Sequence, residues 1–302
     1  MYQHRRAAAR YVTRYPTPLN VAARRGSRPL KGSRLTELDG PGGITVLCCR
    51  TEGESMPALA YGDDAVRAGA RSGRRTRVAT DAGGAKAGTA DAAGIGAILA
   101  ACGGYPTHIV GRRPKKEVDP LLAGRVLVVG DDSDLNAVVL RLLRKDLLGA
   151  VEVAYATPHP TAFTDIYALP TGPEAVRAAT RAEVDRVPLV RSDAGGVLLG
   201  AAQLAPVTGT FYVDEQRIPG GSAKVIEVEP DARSGVAVTV VRKRILGFGR
   251  QPATYRGRAV EFGLLPGSGT AIWYDGIRHP REVNRWVFYQ HTQPLRLVRG
   301  VY

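Results

Sequence analysis

The residues best placed to do chemistry share one turn, Gly130-Asp131-Asp132-Ser133-Asp134-Leu135-Asn136, directly after the apolar run Val126-Leu127-Val128-Val129. An apolar run that halts at glycine and passes into capping residues is a strand handing over to a helix. In an open α/β sheet the mouth of such a unit is where ligands bind, because the first helical turn offers free N–H groups and partial positive charge. Three carboxylates crowd this one. They suit helix capping, where each contributes about 0.3–1 kcal/mol, and they oppose an anionic ligand. Other catalytic material is sparse. His4, His108, His159, His279 and His291 are scattered without a Ser or Cys partner, so no triad can be read. Cys48, Cys49 and Cys102 are odd in number and set among apolar residues, which suits buried reduced thiols rather than disulfides or zinc.

Positioning this turn requires a sheet on which it can stand. Apolar patterning predicts strands at residues 44–49, 77–80, 125–129 and 151–155. Helices are expected at 63–69, at 91–102 with Ile95, Ile98 and Leu99 as its apolar stripe, at 134–147 and at 174–182. In the third of these Leu135, Val138, Val139, Leu142 and Leu143 form one face, and Arg141, Arg144 and Lys145 lie off it. Residues 114–120 read as a charged connector, and the stretch holding Pro158, Pro160, Pro170 and Pro173 as turns. The glycines of 81–104 lack the Lys-Ser/Thr pair of a phosphate loop, so close packing of a helix on the sheet explains them better.

Beyond residue 187 the pattern changes to short alternating strands between glycine turns, at 197–199, 210–213, 224–228, 236–241, 259–263, 270–274, 286–289 and 295–298. The fold class is therefore α/β: an open, mostly parallel sheet in an N-terminal domain, followed by an antiparallel β domain. The expected boundaries are a basic arm over 1–43, an α/β domain over 44–186 and a β domain over 187–302.

The 302 residues carry a net charge of +14, with 44% hydrophobic and 23% charged residues. That balance is ordinary for a soluble chain, and no apolar run approaches the roughly 18 residues of a membrane span. Residues 1–34 hold nine Arg or Lys and no acid, with no long apolar segment after them, so the expectation is a cytoplasmic protein without a secretory leader. Excess positive charge attracts anionic partners, whether lipid surfaces or nucleic acid, and does not choose between them. Arg242, Lys243, Arg244, Arg250, Arg256 and Arg258 near Tyr255, and Arg278, Arg281 and Arg285 beside Trp286, suit a phosphate backbone and a membrane headgroup equally, as they suit a solvated sheet face. No base-reading motif accompanies them.

The order of these parts resembles the diacylglycerol kinase-like lipid kinases, which include the sphingosine kinases. That family's nucleotide loop reads Gly-Gly-Asp-Gly-Thr-Leu-Asn-Glu-Val. Residues 130–138 keep Gly130, Asp132, Leu135, Asn136 and Val138 of it. Leu169-Pro170, then Glu174-Ala175-Val176, and later Arg258-Ala259-Val260, Trp273-Tyr274-Asp275-Gly276 and Leu295-Arg296-Leu297 follow the family's order as well. The resemblance spans about residues 120–302. It implies transfer of phosphate from ATP to a lipid hydroxyl with Mg²⁺. Gly130, Asp132, Ser133 and Asn136 would stand at the nucleotide, Asp132 at the metal, and Asp275 as the acidic group of the β domain.

The departures fall at the chemistry. Asp131, Ser133 and Asp134 replace the residues that let the family's backbone and hydroxyl meet phosphate. At about 5 Å and an effective dielectric near 20, each carboxylate–phosphate pair costs on the order of 3 kcal/mol unless a cation intervenes. The second nucleotide motif, Gly-Thr-Gly-Asn-Asp-Phe in the family, aligns with Pro158-His159-Pro160-Thr161-Ala162-Phe163 and keeps only the phenylalanine. Two prolines there remove backbone donors. Ser234 stands where the family has the aspartate of an Asp-Gly pair, and Ile277 replaces the glutamate after Asp275-Gly276. The sequence thus leaves two readings open: a lipid kinase with weakened or lost nucleotide binding, or a non-catalytic relative that binds lipid or protein, peripheral at a membrane. A receiver domain, suggested by the acidic turn alone, lacks its later lysine, since none lies between Lys145 and Lys224.

Overall fold

The computed structural model describes residues 43–50, 92–242 and 252–299. The helix expected at 63–69, the strand at 77–80, the basic arm and the central part of the arginine-rich run near Tyr255 lie outside the described residues.

In chain order the elements are β1 (Ile44–Cys49), α1 (Ala92–Ala101), β2 (Thr107–Val110), a 3-10 turn (Lys116–Leu121), β3 (Arg125–Val129), α2 (Asp132–Arg144), β4 (Glu152–Ala156), α3 (Ala162–Tyr167) and α4 (Pro173–Arg181). The strands β5 (Val184–Val187), β6 (Val190–Ser192), β7 (Val197–Leu198), β8 (Ala202–Ala205) and β9 (Val207–Val213) follow. Then come β10 (Gln216–Arg217), β11 (Ser222–Ala223), β12 (Val225–Asp231), β13 (Gly235–Val241) and β14 (Ala253–Gly257). The chain closes with β15 (Ala259–Leu264), β16 (Ala271–Tyr274), β17 (Ile277–Arg278), β18 (Arg285–Gln290) and β19 (Leu295–Val298).

The first sheet runs β2-β1-β3-β4-β19-β5 and is parallel except for β5. Its inner strands β1, β3 and β4 are apolar almost throughout because both faces are covered there. Val126 and Val128 join the core under α2, while Leu127 and Val129 join the core under α1 and α4. Helix α1 lies close to the chain after β4: a Cβ on Gly94 would stand 2.4 Å from Pro158 Cβ. Small residues at this crossing are thus a packing requirement.

The remaining strands form two antiparallel sheets, β10-β9-β15-β18-β6-β7, to which β11 adds by pairing with β9, and β14-β13-β12-β8-β16-β17. Alternate residues of the two, among them Phe211, Phe262, Trp286, Ile226, Val238 and Ile272, build one core. The α/β class with a following antiparallel β region is therefore the fold.

Three expectations change. Leu295–Val298, expected to close the β region, pairs with β4 and β5 in the first sheet, where Leu297 is fully buried. A strand of four alternating residues carries no local mark of which sheet it will complete. The connector is a 3-10 turn whose Asp119 accepts from Arg141 Nε at 2.8 Å and Nη2 at 2.6 Å, so Arg141 is buried instead of lying off the packed face. The proline-rich stretch contains α3, capped by Thr161, whose Oγ1 accepts from Thr164 N at 3.2 Å.

Candidate functional site

Parallel strands β1 to β4 end on one edge of the first sheet, and α2 starts there. The first turn of α2 is capped from within. Asp131 Oδ1 accepts from Ser133 N at 2.9 Å, Asp134 N at 3.0 Å and Ser133 Oγ at 2.6 Å, and Asp134 Oδ2 accepts from Asp131 N at 3.1 Å. This reciprocal capping consumes backbone donors that a phosphate-binding helix leaves free. Gly130 belongs to the same arrangement, since a Cβ there would meet Asp134 Oδ2 at 2.6 Å. Its missing side chain makes room for a carboxylate.

Arg112, in the loop after β2, closes the turn from outside. Its Nη2 donates to Asp131 Oδ2, and its Nε to Asp134 at 3.1 Å from Oδ1 and 2.9 Å from Oδ2. The next residue adds Arg113 N to Asp134 Oδ1 at 2.7 Å, and does so from a left-handed backbone, φ 49°. Asp134 is fully buried. Burial and the Asp131 charge push its carboxyl upward, and the Arg113 N–H, the Asp131 N–H and Arg112 oppose them.

The third carboxylate does not cap the helix. Asp132 turns toward β4 and α3, accepting from Tyr155 Oη at 3.0 Å and Phe163 N at 3.2 Å. The expectation of three acids around one helix terminus thus resolves into two at the cap and one turned away. Burial raises the Asp132 pKa against the hydrogen bonds that favour its ionised form. Phe163 is fully buried between Tyr155 and Tyr167, with ring centroids 5.6 and 4.8 Å away.

Asn136 and Asp275, 139 residues apart in sequence, meet here. Asn136 Nδ2 donates to Asp275 Oδ2 at 2.5 Å and to Val197 O at 2.7 Å. Asp275, in the left-handed region at φ 45° between β16 and β17, also accepts from Leu199 N at 3.0 Å and Gly200 N at 2.7 Å. It is only 4% exposed, and burial pushes its pKa to about 7 despite these three donors. The chain between β7 and β8 threads between the two acids. A Cβ on Gly200 would stand 3.2 Å from Asp275 Oδ1 and 3.3 Å from Asp132 Oδ2.

The structure therefore brings Asp132, Asn136 and Asp275 around Gly200 and leaves Gly130 and Ser133 in the capped turn. Sequence reasoning missed Arg112, Arg113, Tyr155 and Gly200. One signal for the first two existed, a pair of arginines closing an apolar run in a chain whose next strand ends in acids. The metal role expected of Asp132 finds no preformed set of three ligands among the described residues. Both Asp132 oxygens hold protein donors, and the guanidinium of Arg112 sits between the other two acids. No described helix is long and apolar enough to cross a membrane.

No protein-family model matches the chain, and no curated protein matches it in sequence. Solved structures do. A diacylglycerol kinase from Bacillus anthracis str. Sterne is similar over 85% of this chain and 96% of its own, at 12% identity and a TM-score of 0.53. Two structures provisionally assigned as diacylglycerol kinases from the same organism cover 88% and 85% of this chain and 98% and 97% of their own. Their identities are 10% and 8%, and their TM-scores 0.55 and 0.56. At such identities the likeness is one of architecture: the chain has the kinase-like fold of these proteins.

Proposed function

We propose that this chain is a diacylglycerol kinase-like protein whose ATP binding has been weakened or lost, and which works by binding an anionic lipid surface instead of by phosphoryl transfer. The observation that carries the reading is the capped turn. Ser133 N and Asp134 N donate to Asp131, and Arg112 is committed to Asp131 and Asp134. An ATP phosphate entering here would have to displace a carboxylate that is already bonded and would still face its charge. The net charge of +14 suits an anionic partner, and the resemblance to lipid kinases is what directs the proposal to an acidic lipid surface at the membrane periphery, where each nearby basic group adds about 1 kcal/mol.

The test is thermal unfolding of the full chain with Mg-ATP and with Mg-free ATP, beside sedimentation with vesicles of acidic and of neutral lipid. No stabilisation by either nucleotide form, with pelleting on acidic vesicles alone, is the expected result. A clear stabilisation by Mg-ATP would overturn it, and pelleting on neither vesicle would remove the lipid assignment. A competing reading, an active phosphotransferase, draws on Asp275, whose pKa near 7 is that of a group able to exchange a proton near neutrality. Transfer of labelled phosphate to diacylglycerol in mixed micelles, abolished by Asp275→Asn, would favour that second reading.

A further inference from the structure

Among the described residues two buried side-chain atoms have no hydrogen-bond partner, Trp286 Nε1 and Arg191 Nε. The first strands no charge, because it lies in the apolar core of the β region against the rings of His279, Tyr274 and Phe288. The second belongs to a guanidinium, and a buried charged donor without an acceptor is costly. Strand β6 sends Val190 into that core and β18 sends Trp286 and Phe288, so Arg191 and its register partner Tyr289 stand on the outer face of their sheet. Arg191 Cζ lies 5.9 Å from the centre of the Tyr289 ring. His291 extends the same pairing, its N–H donating to Leu189 O at 2.7 Å. Burial, and after it the Arg191 charge, hold the His291 imidazole below its ordinary value, so the ring stands within reach of that charge.

Another arginine of this sheet shows what a structural one looks like. Arg285, four residues before Tyr289 in β18, donates through Nε to Glu261 at 2.6 Å and has Asp193 4.0 Å from Nη1. Arg191 makes no ion pair and no side-chain hydrogen bond among the described residues. We infer that Arg191, with Tyr289 and His291 beside it, binds the phosphate group of a small ester. The charge has no acid to neutralise it, the tyrosine ring supports the guanidinium, and the imidazole supplies a further donor. A planar guanidinium offers paired N–H groups to phosphate oxygens, and phosphate has oxygens left for the imidazole and the phenol. All three residues are half-buried, which leaves them open to a ligand. None belongs to the cluster of Asp132, Asn136 and Asp275. The inference goes beyond the lipid reading, since a lipid headgroup and a soluble ester present the same group.

The experiment follows the His291 ring resonances of the full chain by NMR, identified by their loss in His291→Gln. The titrants are inorganic phosphate, glycerol 3-phosphate and sodium chloride of matched ionic strength. Both phosphates should move the resonances saturably, and chloride should not. Arg191→Met keeps the apolar stem and removes the charge; it should weaken phosphate binding about tenfold. Because no protein partner is lost, it should unfold within about two degrees of the parent in phosphate-free buffer. If it does not fold, Arg191→Lys decides, with an affinity about threefold weaker for want of the fork. Resonances indifferent to phosphate, or an affinity unchanged in the deciding variant, overturn the inference. Sedimentation with phosphatidic acid vesicles then assigns the source. Pelleting reduced in Arg191→Met, or in the lysine variant, points to the headgroup, and unchanged pelleting beside weakened phosphate binding points to a soluble ester. A parent chain that binds phosphate and pellets on no vesicle would remove the lipid reading and leave this one standing.

Discussion

Asp131 and Asp134 face the loop after β2, where a guanidinium bridges them. Asp132 and Asp275 face the turn at Gly200, where the donors that reach them are a phenol, an amide side chain and backbone N–H groups. The first pair is held by charge at the edge of the sheet. The second is held by neutral donors at a buried seam between the parallel sheet and the β region. Burial raises the carboxyl at both places; a guanidinium helps to oppose it at Asp134, while at Asp132 and Asp275 only neutral donors do. The capped pair therefore fixes a local turn, and the seam pair fixes how distant parts of the chain meet.

The comparison can be broken hardest at the seam. Asp275→Ala would leave Leu199 N and Gly200 N without their acceptor and Asn136 Nδ2 with Val197 O alone, and each buried N–H left unpaired costs about 1–3 kcal/mol. Chemical denaturation should show a loss of about 3–5 kcal/mol; a loss below about 1 kcal/mol would mean that the seam does not depend on this acid.

Acidity should sharpen the contrast. The Asp275 pKa is about 7 in the folded chain against about 4 when unfolded, so the folded state binds the extra proton between these values. Its contribution is complete below about pH 4 and is lost as pH rises through 7, a change on the order of 4 kcal/mol. Unfolding free energies from pH 5 to 8 should fall accordingly, and Asp275→Asn should flatten that slope. An unchanged slope would remove Asp275 as its source.

At the other pair, Gly130→Ala places a Cβ 2.6 Å from Asp134 Oδ2 and should cost about 1–3 kcal/mol by forcing the cap apart. Amide exchange would report it as faster exchange at Ser133 and Asp134, with Leu199 and Gly200 unaffected; equal acceleration at both places would show that the pairs are one unit. The smallest effect belongs to Ser133→Ala, which removes one hydroxyl donor to Asp131 and should cost about 0.5–1.5 kcal/mol in denaturation.

Local chemistry made much of this molecule readable. Strand β3 and the start of α2 are written in consecutive residues, because apolar alternation, a halting glycine and a capping acid act within a few positions. The antiparallel β region is similarly announced by alternation and glycine turns. The position of Leu295–Val298 was not readable, because the same four residues satisfy either sheet. Nor was the path of Arg112, which closes a turn 19 and 22 residues away. Acidity at residues 131–134 was legible; its neutralisation was not.

The sequence by itself determined the strand, the turn, the helix cap and the excess of acid, since each depends on neighbours in the chain. Tertiary structure alone decided that Asp132 turns from the cap, that Arg112 binds the other two acids, and that Asn136 meets Asp275. The physical reason is that carboxylates choose partners by proximity and solvation, and both are set by folding, which joins residues as far apart as 139 positions.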